Sequence, residues 1–190
     1  MAARKGDNPG TTSAYVALLR GINVGGNNML PMKDLAAMFT KAGANDVRTY
    51  IQSGNVVFRV EREVSGRIPI AVAKAIAART QLRIPIVMRS AAELRRIVQN
   101  NPYVQRGVDT DELHVVFLAA EPGEAAARAL DPKRSTTDEF IVRGADIYLH
   151  CPNGYGRSKL SNAYFDAKLA TVSTVRNWRT VLKLLELSGG

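Results

Sequence analysis

The feature that most constrains this chain of 190 residues is a repeated order of predicted elements, strand–helix–strand–strand–helix–strand. The first copy opens with the apolar run Tyr15 to Leu19, which predicts a buried strand. The second copy opens with a similar run, Leu113 to Ala120, and continues to a hairpin about Gly144 and Ala145. A βαββαβ unit is the ferredoxin-like arrangement, with both helices on one face of an antiparallel sheet. The sequence therefore predicts an α+β fold of two ferredoxin-like units.

The two units are expected to pack together as one pseudo-duplicated body. The first strand of each copy is apolar without alternation, apart from His114 in the second copy, so both faces of each sheet must be covered. The other unit is the simplest cover for the second face. Pro85 cannot donate a ladder hydrogen bond, so its strand should lie at a sheet edge. We predict a disordered N-terminal tail at residues 1–13, a first unit at 14–90, and a second unit with a C-terminal helix at 91–190.

Composition narrows the classes of function. The formal net charge is +9, and it is uneven: residues 1–90 carry +8, residues 91–150 carry −3, and residues 151–190 carry +4. Such a charge favours polyanions or phosphorylated ligands. A single cysteine, Cys151, fits a reducing cytoplasm, and no apolar run reaches the ~20 residues of a membrane span. Two histidines and one cysteine are too few for a usual zinc site, so we expect no metal and no cofactor.

Four polar stretches exceed what the fold requires, and they lie at residues 20–28, 52–55, 156–159 and 176–179. Glycines in the first stretch would let backbone amides converge on an anion. Turn geometry and asparagine capping explain the same residues without a ligand. The second stretch is first of all a hairpin turn, although Gln52 and Asn55 could also form directed hydrogen bonds.

The third and fourth stretches carry cations. Ser158 is predicted to cap a helix, and Arg157 and Lys159 would then crowd positive charge onto its N-terminus, a cost that a bound anion would relieve. Trp178 is predicted to be a core anchor of the final helix, on a stripe with Val181, Leu182 and Leu185. Arg176, Arg179 and Lys183 form a separate basic stripe, which is either a binding surface or a solvated face.

Taken together, these stretches resemble domain-of-unknown-function family 1697, a group of conserved bacterial proteins. The resemblance rests on Leu18 to Gly26, Tyr50 to Phe58, Pro152 to Leu160 and Thr174 to Val181, in that order. It implies an α+β fold of two ferredoxin-like halves, and it implies no established activity, cofactor or partner.

Our leading hypothesis is that the chain binds a phosphate-bearing ligand, with nucleic acid or a phosphorylated small molecule as the partner class. Loops distant in the sequence would gather into one electropositive site. Its candidate residues are Arg20, Gly21, Asn23, Gly25, Gly26, Asn27, Gln52, Ser53, Asn55, Arg157, Ser158, Lys159, Arg176 and Asn177. One alternative is an enzyme acting on a small anionic substrate by electrostatic stabilisation. Another is a structural or interaction module, in which these residues merely join the two halves.

Overall fold

The computed structural model describes residues 11–26 and 28–189, and its first unit follows the predicted order. The candidate residue Asn27 and residues 1–10 lie outside this description. The elements of the first unit are β1 (Thr12–Leu19), α1 (Met32–Lys41), β2 (Asn45–Tyr50), β3 (Asn55–Glu61), the short α2 (Arg62–Ser65), α3 (Ile68–Thr80) and β4 (Ile86–Ser90). β1 begins at Thr12, so the last two residues of the predicted tail 1–13 form part of this strand.

The second unit repeats that order after two connecting helices. These are α4 (Ala91–Gln99) and α5 (Pro102–Gln105), followed by a 3-10 turn at Thr110–Glu112. The unit itself comprises β5 (Leu113–Leu118), α6 (Glu124–Arg128), β6 (Glu139–Arg143), β7 (Asp146–His150), a 3-10 turn at Tyr155–Arg157, α7 (Asn162–Leu169), β8 (Ser173–Asn177) and α8 (Trp178–Leu187). α8 follows β8 directly, as α4 follows β4.

The strands form two antiparallel four-stranded sheets of matching topology. Their orders are β2-β3-β1-β4 and β6-β7-β5-β8, so the first strand of each unit is central. β4 lies at an edge, as predicted, but it begins at Ile86, so Pro85 precedes the strand instead of lying within it. The prediction of an α+β body built from two βαββαβ units is confirmed, whereas the division at residue 90 stays a prediction.

Alternate residues of the central strands contribute to different cores. In β1, Tyr15, Ala17 and Leu19 pack with α1 and α3, whereas Val16 and Leu18 face the second unit. The central core also includes apolar residues of β5, α4 and α8. A third core lies between the second sheet and α7. The open face of each sheet is therefore covered by the other unit, with α4 and α8 contributing beside the strands. Within the described residues, no helix is both long and apolar enough for a membrane span.

Two local predictions in the second unit require correction. α7 begins at Asn162 and is capped by Ser161, whose Oγ accepts from the Tyr164 amide at 3.3 Å, so Ser158 is not the cap. Ser158 instead accepts from the Leu160 amide at 3.0 Å. Because α7 starts later than predicted, the cations of the third stretch lie in the connection that precedes it.

The prediction for the last helix is correct in part. Trp178 is buried in the central core, as predicted, and Val181 is buried beside it. Leu182, which the predicted stripe included, is 42% exposed, and Leu184 is buried instead. The inward face of α8 is rotated from the predicted one because the helix packs against both sheets and α4.

Candidate functional site

Arg176 on β8 crosses from the second unit to the first. Its Nε donates to Asn55 Oδ1 at 2.5 Å, and its Nη2 donates to the Leu19 carbonyl at 2.7 Å. Its Nη1 donates within its own strand, to the Val175 carbonyl at 2.7 Å and Thr174 Oγ1 at 2.9 Å. Burial lowers the pKa of Arg176 to about 10, which is still well above neutral pH. The guanidinium is thus a charged group held in the junction between the units.

Arg89 makes the reciprocal set of contacts from the first unit to the second. Its Nη2 donates to the Leu118 carbonyl at 3.0 Å, to the Ala145 carbonyl at 2.8 Å and to Asp146 Oδ1 at 2.8 Å. Leu118 ends β5 as Leu19 ends β1, and Asp146 begins β7 as Asn55 begins β3. The two arginines therefore occupy equivalent positions of the internal repeat, and each reaches the equivalent acceptors of the opposite unit. We call Arg89, Arg176 and these acceptors the arginine interlock.

The sequence signal for this equivalence lies in the residue that follows each arginine. Ser90 accepts from the Glu93 amide as the N-cap of α4, and Asn177 accepts from the Thr180 amide at 2.8 Å as the N-cap of α8. In both copies an arginine is the penultimate residue of an edge strand, and the last residue of that strand caps the following helix. Sequence reasoning singled out Arg176 and missed Arg89, because Arg89 belongs to none of the four polar stretches.

Arg20 forms a second link between the units. It lies just after β1, and its Nη1 forms an ion pair with Asp166 Oδ2 on α7 and donates to the Ser173 carbonyl at 3.3 Å. Asp166 Oδ1 accepts from the Ser173 amide at 2.8 Å and the Ser173 hydroxyl at 2.6 Å. The carboxylate thus connects the start of β8 to the end of β1. Sequence analysis did not identify Asp166 as the partner of Arg20.

The loop after Arg20 is closed by asparagine side chains. Asn23 Nδ2 donates to the carbonyls of Leu30 and Gln52, both at 2.9 Å, and its Oδ1 accepts from the Leu30 amide at 2.7 Å. Asn28 Nδ2 donates to the Gly21 carbonyl at 2.8 Å. Gly25 and Gly26 have positive φ and are exposed. These contacts are the turn-forming and capping roles that sequence analysis weighed against anion binding.

The hairpin between β2 and β3 packs tightly against the end of β1. Asn55 is fully buried, and its Nδ2 donates to the Tyr50 carbonyl at 3.2 Å and to Ser53 Oγ at 3.0 Å. Gly54 has a φ of +76°, and a Cβ placed on it would lie 2.8 Å from the Leu19 Cβ. Glycine is therefore required here both by conformation and by close approach. The Gln52 side chain is exposed.

Arg157 and Lys159 line a different pocket. It has a volume of about 330 Å³, and we call it the Arg157 pocket; it is lined by Ser135, Thr136, Thr137, Asp138, Asn153, Gly154, Arg157 and Lys159. Within the described part of the chain, neither cationic side chain has an ion-pair partner, and both are exposed. The other cations of the candidate set, Arg20 and Arg176, are both engaged in contacts between the units.

Asp138 organises the wall of this pocket. The buried carboxylate accepts from Ser135 Oγ at 2.7 Å and from Thr137 Oγ1 at 3.3 Å. Asn153 Nδ2 donates in turn to Thr137 Oγ1 at 3.2 Å. The hydroxyl protons of Ser135 and Thr137 are thus directed to Asp138. The groups left to donate to a ligand include Thr136 and the cations Arg157 and Lys159.

The structure therefore divides the candidate residues into groups. It brings Arg20, Asn23, the hairpin 52–55 and Arg176 together through internal hydrogen bonds. It places Arg157 and Lys159 at the Arg157 pocket. Asn177 caps α8 beside another shallow pocket, which is lined by Thr110, Asp111, Asn177, Trp178 and Arg179.

Few groups in this arrangement could act as a nucleophile or as metal ligands. Cys151 is buried, and burial together with the nearby Asp138 charge raises the pKa of its thiol to about 12. A thiol with that pKa is protonated at neutral pH and is a poor nucleophile. Within residues 11–26 and 28–189, no cluster of three or more His, Cys, Asp or Glu side chains could hold a metal ion.

Comparisons with known proteins identify a family and a similar fold. A family described as "Protein of unknown function (DUF1697)" matches residues 12–148. The fold is similar to that of the conserved bacterial protein SP0830 from Streptococcus pneumoniae, with a TM-score of 0.70 and 21% sequence identity over 94% of this chain and 99% of that protein's chain. No curated protein matches the sequence. At this identity the structural likeness bears on the fold alone.

Proposed function

The chain belongs to the DUF1697 family of proteins of unknown function, and we propose that it binds a small phosphate-bearing ligand in the Arg157 pocket. The observation that carries this proposal is the pairing of two exposed cations, Arg157 and Lys159, with no ion-pair partner in the described part of the chain. Arginine presents a fork that matches phosphate oxygens, and lysine acts as a compact point charge. Thr136 adds a neutral donor at the same wall.

The size of the pocket favours a small ligand over a polymer. Its volume of about 330 Å³ is at the lower end of the range for small-molecule sites. The negative charge of Asp138 offsets one of the two positive charges of Arg157 and Lys159, so the lining carries a net charge of about +1. A phosphate monoester or a diphosphate group is the ligand class that these donors fit.

The buried free cysteine is consistent with a reducing compartment, and we propose a cytoplasmic location on that ground.

Calorimetric titration with pyrophosphate at low salt tests the proposal. Charge-assisted hydrogen bonds contribute roughly 1.5–3 kcal/mol each, so the double variant Arg157→Gln/Lys159→Gln should raise the Kd at least about tenfold. The matched control is Lys74→Gln/Arg83→Gln, which removes the same charge from exposed positions outside this pocket. An unchanged Kd in the pocket variant, or an equal loss in the control, contradicts the assignment.

A structural role is the second candidate function for Arg20 and Arg176. It is supported by their contacts, since Arg20 bonds to Asp166 and Ser173, and Arg176 bonds to Leu19 and Asn55, all on the opposite unit. In that case Arg20→Gln/Arg176→Gln lowers the free energy of unfolding and leaves pyrophosphate affinity unchanged. Loss of pyrophosphate affinity in a variant that remains folded would return these two residues to the ligand site.

A further inference from the structure

A broad groove lies between α4 and the end of the first sheet, where β1 begins and β3 and β4 end. Its volume is about 940 Å³, and we call it the arginine groove; its lining includes Ser13, Arg59, Ser90, Arg95 and Arg96. Register places Ala14 of β1 opposite Arg59 of β3, and Tyr15 opposite Ser90 of β4. α4 begins directly after Ser90 and supplies the other two arginines.

The cations of this groove are exposed and only weakly neutralised. The Arg59 side chain is 48% exposed and lies 3.9 Å from Asp46, a distance at the outer limit of an ion pair. Arg95 and Arg96 are exposed, and within the described residues neither has an ion-pair partner. An exposed ion pair such as that of Arg59 with Asp46 contributes little stabilisation, so these arginines remain available to an external anion.

Among the described residues that line the groove, the one carboxylate, that of Glu93, is turned toward the helix backbone. Glu93 Oε2 accepts from the Ser90 amide at 2.7 Å and from Ser90 Oγ at 2.8 Å, which completes a capping box at the start of α4. The positive charges of Arg59, Arg95 and Arg96 therefore outweigh a carboxylate that is already hydrogen-bonded. Arg96 also lines the adjoining pocket of about 640 Å³, so the polar surface extends along α4.

We propose that the arginine groove binds the phosphate backbone of a nucleic-acid duplex. An open groove with several separated arginines suits a polyanion better than a single phosphate. The aromatic residue of the lining, Tyr15, is 9% exposed and stacks on Phe58 at a centroid distance of 6.0 Å, so it offers no platform for unpaired bases. Contacts to phosphates alone position a duplex without reading its sequence. This proposal does not depend on the Arg157 pocket.

The salt dependence of binding to a 20-base-pair DNA duplex of arbitrary sequence is the test. Three phosphate contacts predict a slope of log K against log salt of about −2.7, or about a 40-fold loss of affinity between 50 and 200 mM salt. The triple variant Arg59→Gln/Arg95→Gln/Arg96→Gln should bring the slope close to zero. The control Lys33→Gln/Lys74→Gln/Arg83→Gln removes equal charge elsewhere and should keep the wild-type slope.

Several results would overturn the proposal. They are failure of the wild type to bind duplex at 50 mM salt, equal losses in the two triple variants, and tighter binding of a single strand with the same number of phosphates. Should the groove variant fail to fold, Arg95→Gln and Arg96→Gln are measured singly, and each should reduce the slope by about 1. Arg157→Gln/Lys159→Gln should leave duplex binding unchanged, so a failure of this proposal is separable from a failure of the pocket assignment.

Discussion

Replacing Arg176 with methionine removes one half of the arginine interlock while keeping an apolar side chain of similar length. The variant leaves the Leu19 carbonyl and Asn55 Oδ1 without their donors, and both residues are fully buried. Each buried acceptor left unpaired costs about 1–3 kcal/mol. Methionine also relieves the cost of burying a guanidinium, which offsets part of the loss. We expect the free energy of unfolding to fall by about 2–4 kcal/mol, a large part of the 5–15 kcal/mol of a typical domain.

Urea unfolding at pH 7 measures this change, with the fluorescence of Trp178 and far-ultraviolet circular dichroism as probes. Trp178 is the one tryptophan of the chain and is buried in the central core, so its emission reports on the junction of the units. With a typical m-value, the midpoint should fall by about 1–2 M urea. Arg179→Met is the control, because Arg179 is 78% exposed and, among the described residues, forms an ion pair only with Asp111; this variant should lose about 0–1 kcal/mol. If Arg176→Met is as stable as Arg179→Met, the interlock does not hold the units together.

Three further predictions test neighbouring features by unfolding measurements. Arg89→Met leaves the Asp146 carboxylate buried without its cation, and the free energy of unfolding should fall by about 3–5 kcal/mol at pH 7. Because burial already raises the pKa of Asp146, this loss should shrink as the pH falls toward 5 and the carboxyl group takes up a proton. An equal loss at both pH values would contradict this. Gly54→Ala should lower stability by about 1–3 kcal/mol, clearly more than Gly21→Ala. Gly21 also has a positive φ, but no atom of the described residues lies within 4 Å of a Cβ placed there, so equal effects would refute the steric explanation. Burial in β5 lowers the pKa of His114, so the unfolded chain binds a proton at a higher pH than the folded chain does. The wild type should therefore lose stability as the pH falls below about 6.5, and His114→Gln should lose less. Parallel curves of unfolding free energy against pH would refute this.

Much of the architecture could be read from local sequence. The edge position of β4 was predicted from Pro85, which cannot donate to a ladder, although Pro85 itself lies just before the strand. The apolar run Tyr15 to Leu19 predicted a strand covered on both faces, and its residues divide between two cores. These predictions succeed because side-chain alternation and proline chemistry act within a few residues, before tertiary contacts are known.

The roles of the cations could not be predicted in the same way. Arg157 lies between Gly156 and Ser158, and Arg176 lies between Val175 and Asn177; neither pair of neighbours shows whether the cation faces solvent or the other unit. The difference arises from topology, since β8 is an edge strand whose arginine reaches the end of β1, whereas Arg157 lies in an exposed connection. Asp166 is separated from Arg20 by 146 residues, so no spacing rule could pair them.

The position of a helix start also depended on tertiary structure. Ser158 and Ser161 are both acceptable caps by residue type, and the burial of Leu160 and Phe165 in the third core accompanies the later start. The same kind of competition explains why Leu184 rather than Leu182 faces inward on α8, since that helix contacts both sheets. Where two residues satisfy a local rule equally, tertiary packing decides which one is used.

The central claim is that the candidate polar residues divide into cations that join the units and cations that bind a phosphate group. Titration of the nitrogen-15-labelled protein with pyrophosphate, followed by backbone amide shifts, tests that division directly. The account predicts shifts at residues 135–138 and 153–159 and none at residues 52–55. Shifts concentrated at residues 20–26 and 52–55, or no shift anywhere, would contradict it.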